Sequence, residues 1–464
     1  MPLNVLLVGL GGNNGSTFAA SIMAHKEKIT WKDHSGKICR PDWLGSTIMM
    51  GSTSREDRKT FFEAYPFTSP EDIVVGGWDI SSANLSEAVR RAGVLNWQIE
   101  ERLREKLEKV VPMRAYYDAS YIASNQGSRA DNVLSSDTPL SEVLTHLRLQ
   151  ISLFKRSSET IVLWTANTEK MVEEIPDIHE GRWENLERAI RDDRKDLVSP
   201  SMMYAAASIL EGCAYLNGSP QNTLVPALRD LARRMNVFVG GNDFKTGQTR
   251  FKSMMMDFLS LCGIRVSSIA SYNHLGNNDG KNLSEDHCFR SKELSKRDVV
   301  LDVVEGNPKL YEGNSPDHCI VIKYIPNVGD SKRAIDEYVA DIFMGGRQTF
   351  SIYNVCEDSL LAVPVMLDII LVTDFFNRHG LSSQTGRYFF PNLFPLSLFF
   401  KAPLPDRSGR VVNIFREQHR ILEKCMEESF SAEVSNVFIT ESSSTLSFTG
   451  SEREFDEERD EDQN

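Results

Sequence analysis

The chain has 464 residues, 41% of them hydrophobic and 25% charged, with a formal net charge of -13. That length and balance predict a soluble globular protein of two or three domains whose core needs no disulfide or metal. An acidic chain lacks the basic face that nucleic acid requires, and the acidity is concentrated: the last fourteen residues carry -6 and the other 450 carry -7.

The N-terminus has no basic leader, and its apolar stretch from Pro2 to Leu10 runs straight into a glycine loop. It reads as a strand, not a signal peptide. The continuous run Asn4 to Val8 suits a parallel strand covered on both faces. Gly9-Leu10-Gly11-Gly12-Asn13-Asn14-Gly15 follows, with Ser16 and Thr17 as candidate caps of a helix through Met23. Glycines let backbone N–H groups close on a pyrophosphate at a helix start. The loop departs from G-x-G-x-x-G because Asn14 takes the third position. It is compatible with a dinucleotide site or with a structural strand-to-helix turn. The ribose-binding acid usual about twenty residues on is not evident; Asp33 has no convincing strand before it.

Similar runs end at Asp72–Asp79, Thr160–Asn167 and Val237–Asp243, with helices expected over 88–110 and 201–214. Strands alternating with helices predict a doubly wound α/β sheet of Rossmann type, whose ligands sit at strand C-termini. After about Phe251 the pattern changes. Strands are expected over 266–272, 299–304, 319–324 and 349–353 with few helices between them, an inserted α+β unit with a more antiparallel sheet. The apolar stretch Leu360–Val372 is broken by Pro364 and Asp368 and reads as too short to cross a bilayer. Amphipathic helix is expected over 416–428. The acidic tail reads as solvated and disordered.

Seven scattered cysteines with no C-x-x-C pair fit a reducing, cytoplasmic setting. His287 and Cys288 are adjacent, but no second pair stands at ligand spacing, so no metal is expected. The chemistry-bearing segments are then three. Asn242 to Thr249 places Asp243 at a strand end, as a ligand contact or as a helix cap. Ser271 to Gly280 is dense in Asn and Gly, and is either a surface turn or a site loop; His274 within it reads as a structural hydrogen bonder or a base. Lys292 and Lys296 stand at i, i+4, with Lys332 and Lys401 elsewhere in glycine- or proline-marked segments. On one helix face two lysines repel, and an anionic ligand between them reverses that sign.

The segments GLGGNNGST, GGWDIS, LWTANTEK, NGSPQNTLVP, NDFKTGQT, SYNHLGNNDG, RSKELSK, VGDSKRAIDEY, VCEDSLLAVP and KAPL resemble, in order, those of the myo-inositol-phosphate synthases. The resemblance spans Val5 to about Leu404. It implies a bound NAD and redox-neutral conversion of glucose 6-phosphate to inositol phosphate. In that chemistry NAD+ oxidises the C5 hydroxyl, the ketone acidifies C6, the enolate attacks the C1 aldehyde, and the hydride returns.

By motif match, the resemblance assigns Gly11, Gly12, Asn13 and Asn14 to the pyrophosphate and Asp79 to the adenosine ribose. Thr165, Ala166, Asn167, Gly218, Asp243, Asn277, Asn278, Asp330 and Asp358 line the rest of the NAD site. Lys292, paired with Asp243, is expected to transfer the C5 proton. Lys332 and Lys401 stabilise the ketone and enolate oxygen, while Asn273, Asp279 and Lys296 position substrate and phosphate. The C6 proton is expected to pass to the substrate's own phosphate. The resemblance also implies a split NAD-binding domain (1–249 plus 362–440), an inserted catalytic and oligomerisation domain (250–361), a tail from 441, and a cytoplasmic homotetramer with no membrane or nucleic-acid partner.

Four features depart from the family. Many relatives carry residues before the first strand. Met113-Arg114-Ala115 is unusual at a cofactor edge, with Arg114 facing solvent or adenosine. Thr246 stands where serine is common, and the family does not account for the tail. An ordinary NAD dehydrogenase and an inactive NAD-binding scaffold are the competing readings; the lysine set argues against both.

Overall fold

The computed structural model describes residues 2–54, 58–381 and 389–444, with side chains to residue 431. Two sheets organise the chain. The first contains β1 (Leu3–Val8), β4 (Ile73–Asp79), β5 (Met113–Arg114), β6 (Thr160–Trp164), β7 (Ala214–Asn217) and β8 (Val239–Gly241). Its order is β5-β4-β1-β6-β7-β8, and every pairing is parallel. The intervening β2 (Trp31–Lys32) and β3 (Ile38–Cys39) form a separate hairpin. Asp33 sits in the turn of that hairpin, accepting from Ser35 and Lys37 backbone N–H groups.

The first sheet is covered on both faces, as its apolar strands require. On β1, Val5 and Leu7 enter one core and Leu6 and Val8 the other. The strand order reverses between β1 and β6, which opens a crevice at their C-terminal ends.

The second sheet contains β9 (Arg265–Leu275), β10 (Asp317–Tyr324), β11 (Ser331–Ile342) and β12 (Gly346–Glu357), in the order β10-β9-β11-β12. β10 runs parallel to β9 and the other pairs are antiparallel. The mainly antiparallel character agrees with the sequence pattern, but four helices stand between β9 and β10, not few. The strand expected over 299–304 is instead the turn that follows the helix Asp286–Asp298 and a second helix, Leu301–Glu305. Its valines fooled a propensity reading: Val299, Val300, Val303 and Val304 recur at helical spacing and bury against Met256 and Leu259.

Other elements shifted for local reasons. The helix expected over 88–110 is two, Leu85–Ala92 and Trp97–Leu107, because Gly93 is left-handed at φ +61° and Asn96 caps the second. The helix expected over 201–214 runs from Pro200 to Leu210. Ser16 and Thr17 lie buried inside the first helix, Asn13–Lys26, which starts at Gly12. Leu360–Val372 belongs to a 22-residue helix, Asp358–His379, which absorbs Pro364. That helix is long and apolar enough to cross a bilayer by length and composition, but it lies in the core with Phe18, Ile22 and Leu163. The seams expected at 249/250 and 361/362 fall inside the helices Gly247–Leu261 and Asp358–His379. The final helix, Phe415–Ser444, passes the expected tail boundary at 441; the tail from 445 lies outside the described residues.

Candidate active site

A cleft opens at the C-terminal ends of β1, β4 and β6, between the two sheets. One end is the glycine loop. Gly9 has φ +94°, and a Cβ there would stand 2.7 Å from the Ala166 Cα. At Gly15 a Cβ would meet the Gly9 carbonyl oxygen at 2.3 Å. The backbone can therefore close tightly only with glycine. The helix Asn13–Lys26 begins with no side chain capping its first N–H groups. Gly11 N–H donates to Asp79 Oδ2 at 2.8 Å, and Ser81 N–H donates to Oδ1 at 2.9 Å. Burial pushes the Asp79 carboxyl above its ordinary range against these bonds. The Arg91 guanidinium donates to the Gly11 carbonyl at 2.6 Å.

The residues at this end fit a dinucleotide. Uncapped helix N–H groups and a glycine cradle suit a pyrophosphate. Thr165 Oγ1 and Arg129 Nε, both on cleft-lining residues, are buried without a hydrogen-bond partner. Such groups are costly unless a ligand satisfies them. Arg114 is exposed and absent from the cleft lining, which settles it as solvent-facing.

The opposite end gathers charge. Lys292 and Lys401 both donate to Asp243 Oδ1, at 2.9 and 3.1 Å, and Ser295 Oγ donates to Oδ2 at 2.5 Å. Lys332 donates to Asp358 Oδ1 at 3.2 Å. Burial favours a neutral Asp243, but Lys292 and Lys401 outweigh it and hold the carboxyl well below its ordinary range. Burial also opposes the Lys292 charge, yet Asp243 and Asp279 hold that ammonium above its ordinary value. For Lys401 burial wins: Asp243 only partly offsets it, Lys292 and Lys332 add repulsion, and the group is pulled down to about 7. Asp358 is lowered, because Lys332 overcomes its burial.

Most expected residues meet in this cleft: Gly12, Asn13, Asn14, Asp79, Thr165, Ala166, Asn167, Gly218, Asp243, Asn277, Asn278, Asp279, Lys292, Lys332, Asp358 and Lys401 line it. Four do not. Gly11 faces Asp79. Asp330 lies behind the loop, accepting from Asn13 Nδ2 at 3.2 Å and from Ser359 N and Oγ. Asn273 of β9 and Lys296 of the helix Asp286–Asp298 are both buried and pair with each other at 2.9 Å. His274 is also outside the lining. Asp330 is thus a brace between the glycine loop and the helix Asp358–His379, not a cleft-facing ligand.

Sequence reasoning missed Ser295, Arg129, Tyr204 and Glu169. Ser295 was findable, since it stands three residues after Lys292 on one helix face. Glu169 lines the cleft fully buried, and burial raises its carboxyl to about 7. Arg129 ends the six-residue 3-10 helix Ser124–Arg129, whose polar sequence carries no periodic signal. Among the described residues no group of three or more His, Cys, Asp or Glu is placed to hold a metal.

A parallel sheet in the order of a dinucleotide fold, a glycine cradle and a cluster of buried lysines at the switch point define an NAD-binding enzyme. A family model described as Myo-inositol-1-phosphate synthase, of NAD-binding type, matches residues 3–427. The chain belongs to that family. It is 46% identical to inositol-3-phosphate synthase 1-B of Xenopus laevis over 97% of this chain and 81% of that protein. Identity to inositol-3-phosphate synthase 1 of Homo sapiens is 47%, over 91% of this chain and 77% of the relative. The crystal structure of inositol-3-phosphate synthase from Caenorhabditis elegans superposes with a TM-score of 0.86 at 44% identity, covering 92% of this chain and 86% of that one. A related protein from Thermotoga maritima, at 21% identity and TM-score 0.69, shares the fold. The chain is therefore an NAD-dependent enzyme of inositol phosphate synthesis.

Proposed function

We propose that the enzyme converts D-glucose 6-phosphate to 1D-myo-inositol 3-phosphate without net redox change, in the cleft between the two sheets. The observation that carries this reading is the lysine cluster at the end opposite the glycine loop: three ammonium groups on two carboxylates, in a largely desolvated site. A phosphorylated sugar that forms an enolate needs cations aimed at oxygen. Gly12, Asn13, Asn14, Asp79, Thr165 and Arg129 hold the NAD, and Gly218, Asn277, Asn278 and Asp358 border it. When bound, NAD supplies the hydride acceptor and donor for the carbon at position 5.

The protein's own groups divide the proton work. Lys292 holds its proton firmly and, with Asp243, serves as the cationic partner of the C5 oxygen. Lys401, pulled down to about 7, is the better matched acceptor of the C5 hydroxyl proton and can return it on re-reduction. Lys332 stabilises the oxygen that carries enolate charge. Asp279 orients the substrate's hydroxyls, and Lys296 and Asn273 support the phosphate end. The phosphate itself takes the C6 proton.

A homotetramer is the proposed assembly, supported by an apolar row across the second sheet, exposed at Tyr272, Ile335 and Tyr353 and half-buried at Val321. Val321, Tyr272, Ile335 and Tyr353 stand opposite one another on β10, β9, β11 and β12. A cytoplasmic location agrees with seven cysteines that are all free.

The test is direct. Purified protein is incubated with glucose 6-phosphate and NAD, and inositol phosphate and reduced cofactor are both measured. Inositol phosphate without net reduced cofactor is expected. Accumulating reduced cofactor would make it a dehydrogenase, and neither product would make it a scaffold.

A further inference from the structure

Beneath the lysine cluster lies a buried polar chain whose deeper members, Gln248, Asp336, Ser271 and Lys252, have no part in the reaction as described. β11 alternates: Ala334, Asp336, Tyr338 and Ala340 are buried, while Ile335 and Glu337 face out. Asp336 therefore occupies a position where the pattern calls for an apolar side chain, and it is 3% exposed. A buried carboxylate is expensive unless its oxygens are fully engaged. Its Oδ1 accepts from Gln248 Nε2 at 2.8 Å and from Ser271 Oγ at 2.5 Å.

Those two bonds fix direction along two branches. An ionised carboxylate only accepts, so Gln248 must turn its NH2 group to Asp336 and its Oε1 the other way. Lys296 Nζ donates to that Oε1 at 3.0 Å and to Asn273 Oδ1 at 2.9 Å. Asn273 is turned likewise, because its Nδ2 donates to the Val321 carbonyl at 3.3 Å. Along the other branch the Ser271 hydroxyl spends its hydrogen on Asp336 and so accepts from Lys252 Nζ at 2.8 Å. Lys252 also bonds His318 Nε2 at 2.8 Å, and that ring is held neutral by burial and by Lys252.

We infer that Asp336 is a positioning residue for the reaction: through the Gln248 amide it locks Lys296 Nζ in one orientation toward the lysine cluster. With the Asp336 carboxylate in place, Lys296 Nζ meets two acceptor oxygens, those of Gln248 and Asn273. Without that carboxylate the Gln248 amide can rotate and present its NH2 to Lys296, donor against donor. The inference rests on the proposed role of Lys296 at the phosphate end of the substrate.

A double-mutant cycle separates positioning from plain support of the fold. Asp336→Leu, which removes the acceptor oxygen that Gln248 and Ser271 share, is made in the native background and in a Lys296→Met background. In each NAD-loaded variant, binding of glucitol 6-phosphate, which lacks the C1 aldehyde, is measured by calorimetry, with thermal melting alongside. The native background is expected to lose affinity about tenfold on Asp336→Leu, while the Lys296→Met background loses almost none, the non-additivity of residues acting in one network. Gln248→Leu should reproduce the loss in the native background. An equal loss in both backgrounds, or none in the native one, would overturn the inference. Lys296→Met alone tests the underlying reading: unchanged affinity there removes Lys296 from the substrate site, and the inference falls with it.

Discussion

Lys292 and Lys401 donate to the same oxygen of Asp243, at 2.9 and 3.1 Å. One buried carboxylate thus balances two ammonium groups and separates their behaviour. Asp243→Asn removes that balance and leaves two lysines repelling in a dry site. Turnover should fall by about 100- to 1,000-fold, the scale of losing one preorganised electrostatic group. A variant with more than about a tenth of native turnover would contradict this account.

Lys401 sets the expected pH response. Its folded value is about 7 against an ordinary 10.5. Between those values the unfolded chain binds the extra proton, so this group makes stability rise with pH across that window. Below about 7 the full cost of burying its charge is present. Activity should climb through the same lower boundary as Lys401 becomes neutral. Lys245 shares the shift to about 7, caused chiefly by burial, but it bonds Gln418 and lies outside the cleft lining. Lys401→Arg should remove the limb near pH 7 along with most activity, and Lys245→Met should leave the limb in place. A pH–rate series on the three proteins decides between them.

The glycine loop allows a test of cofactor binding apart from chemistry. Gly9→Ala puts a Cβ 2.7 Å from the Ala166 backbone at a φ of +94°. The loop must move, at a cost of roughly 1–3 kcal/mol for the strained backbone alone. NAD affinity should drop at least tenfold, read by fluorescence titration, with Lys292→Ala as the contrasting case. That variant should keep its NAD and lose product formation, because Lys292 stands with Asp243 at the far end of the cleft.

Much of this was legible in the sequence because the signals were local. The run Asn4 to Val8 followed by glycines gave a strand, a loop and a helix start, and all three are present. Lys292 and Lys296 at i, i+4 do share one helix, Asp286–Asp298. What failed was non-local. The valines at 299–304 favour strand by propensity, and only their packing against Met256 and Leu259 holds them as a turn and a short helix. Asp330 carries a conspicuous motif, yet its oxygens are used by Asn13 and Ser359, which no spacing reveals. The whole of β11 was missed because charged residues interrupt its alternation, and one of them, Asp336, is a buried member of a polar network.

The second sheet makes the last prediction. Tyr272 is 47% exposed, Ile335 43% and Tyr353 63%, and they are direct cross-strand neighbours. Contiguous apolar residues in the middle of a sheet face mark an association surface better than scattered ones. Ile335→Glu adds a charge at the centre of that row. As an exposed substitution it should alter the stability of the isolated subunit by no more than about 0.5 kcal/mol. In a tetramer built on this face it would bury uncompensated charges from several copies, which association cannot tolerate. Light scattering should show the mass fall from that of four chains to two or one, with the far-ultraviolet circular dichroism unchanged. A native protein that is already monomeric would overturn the proposed assembly, and a variant that keeps the native mass would place the subunit contacts elsewhere.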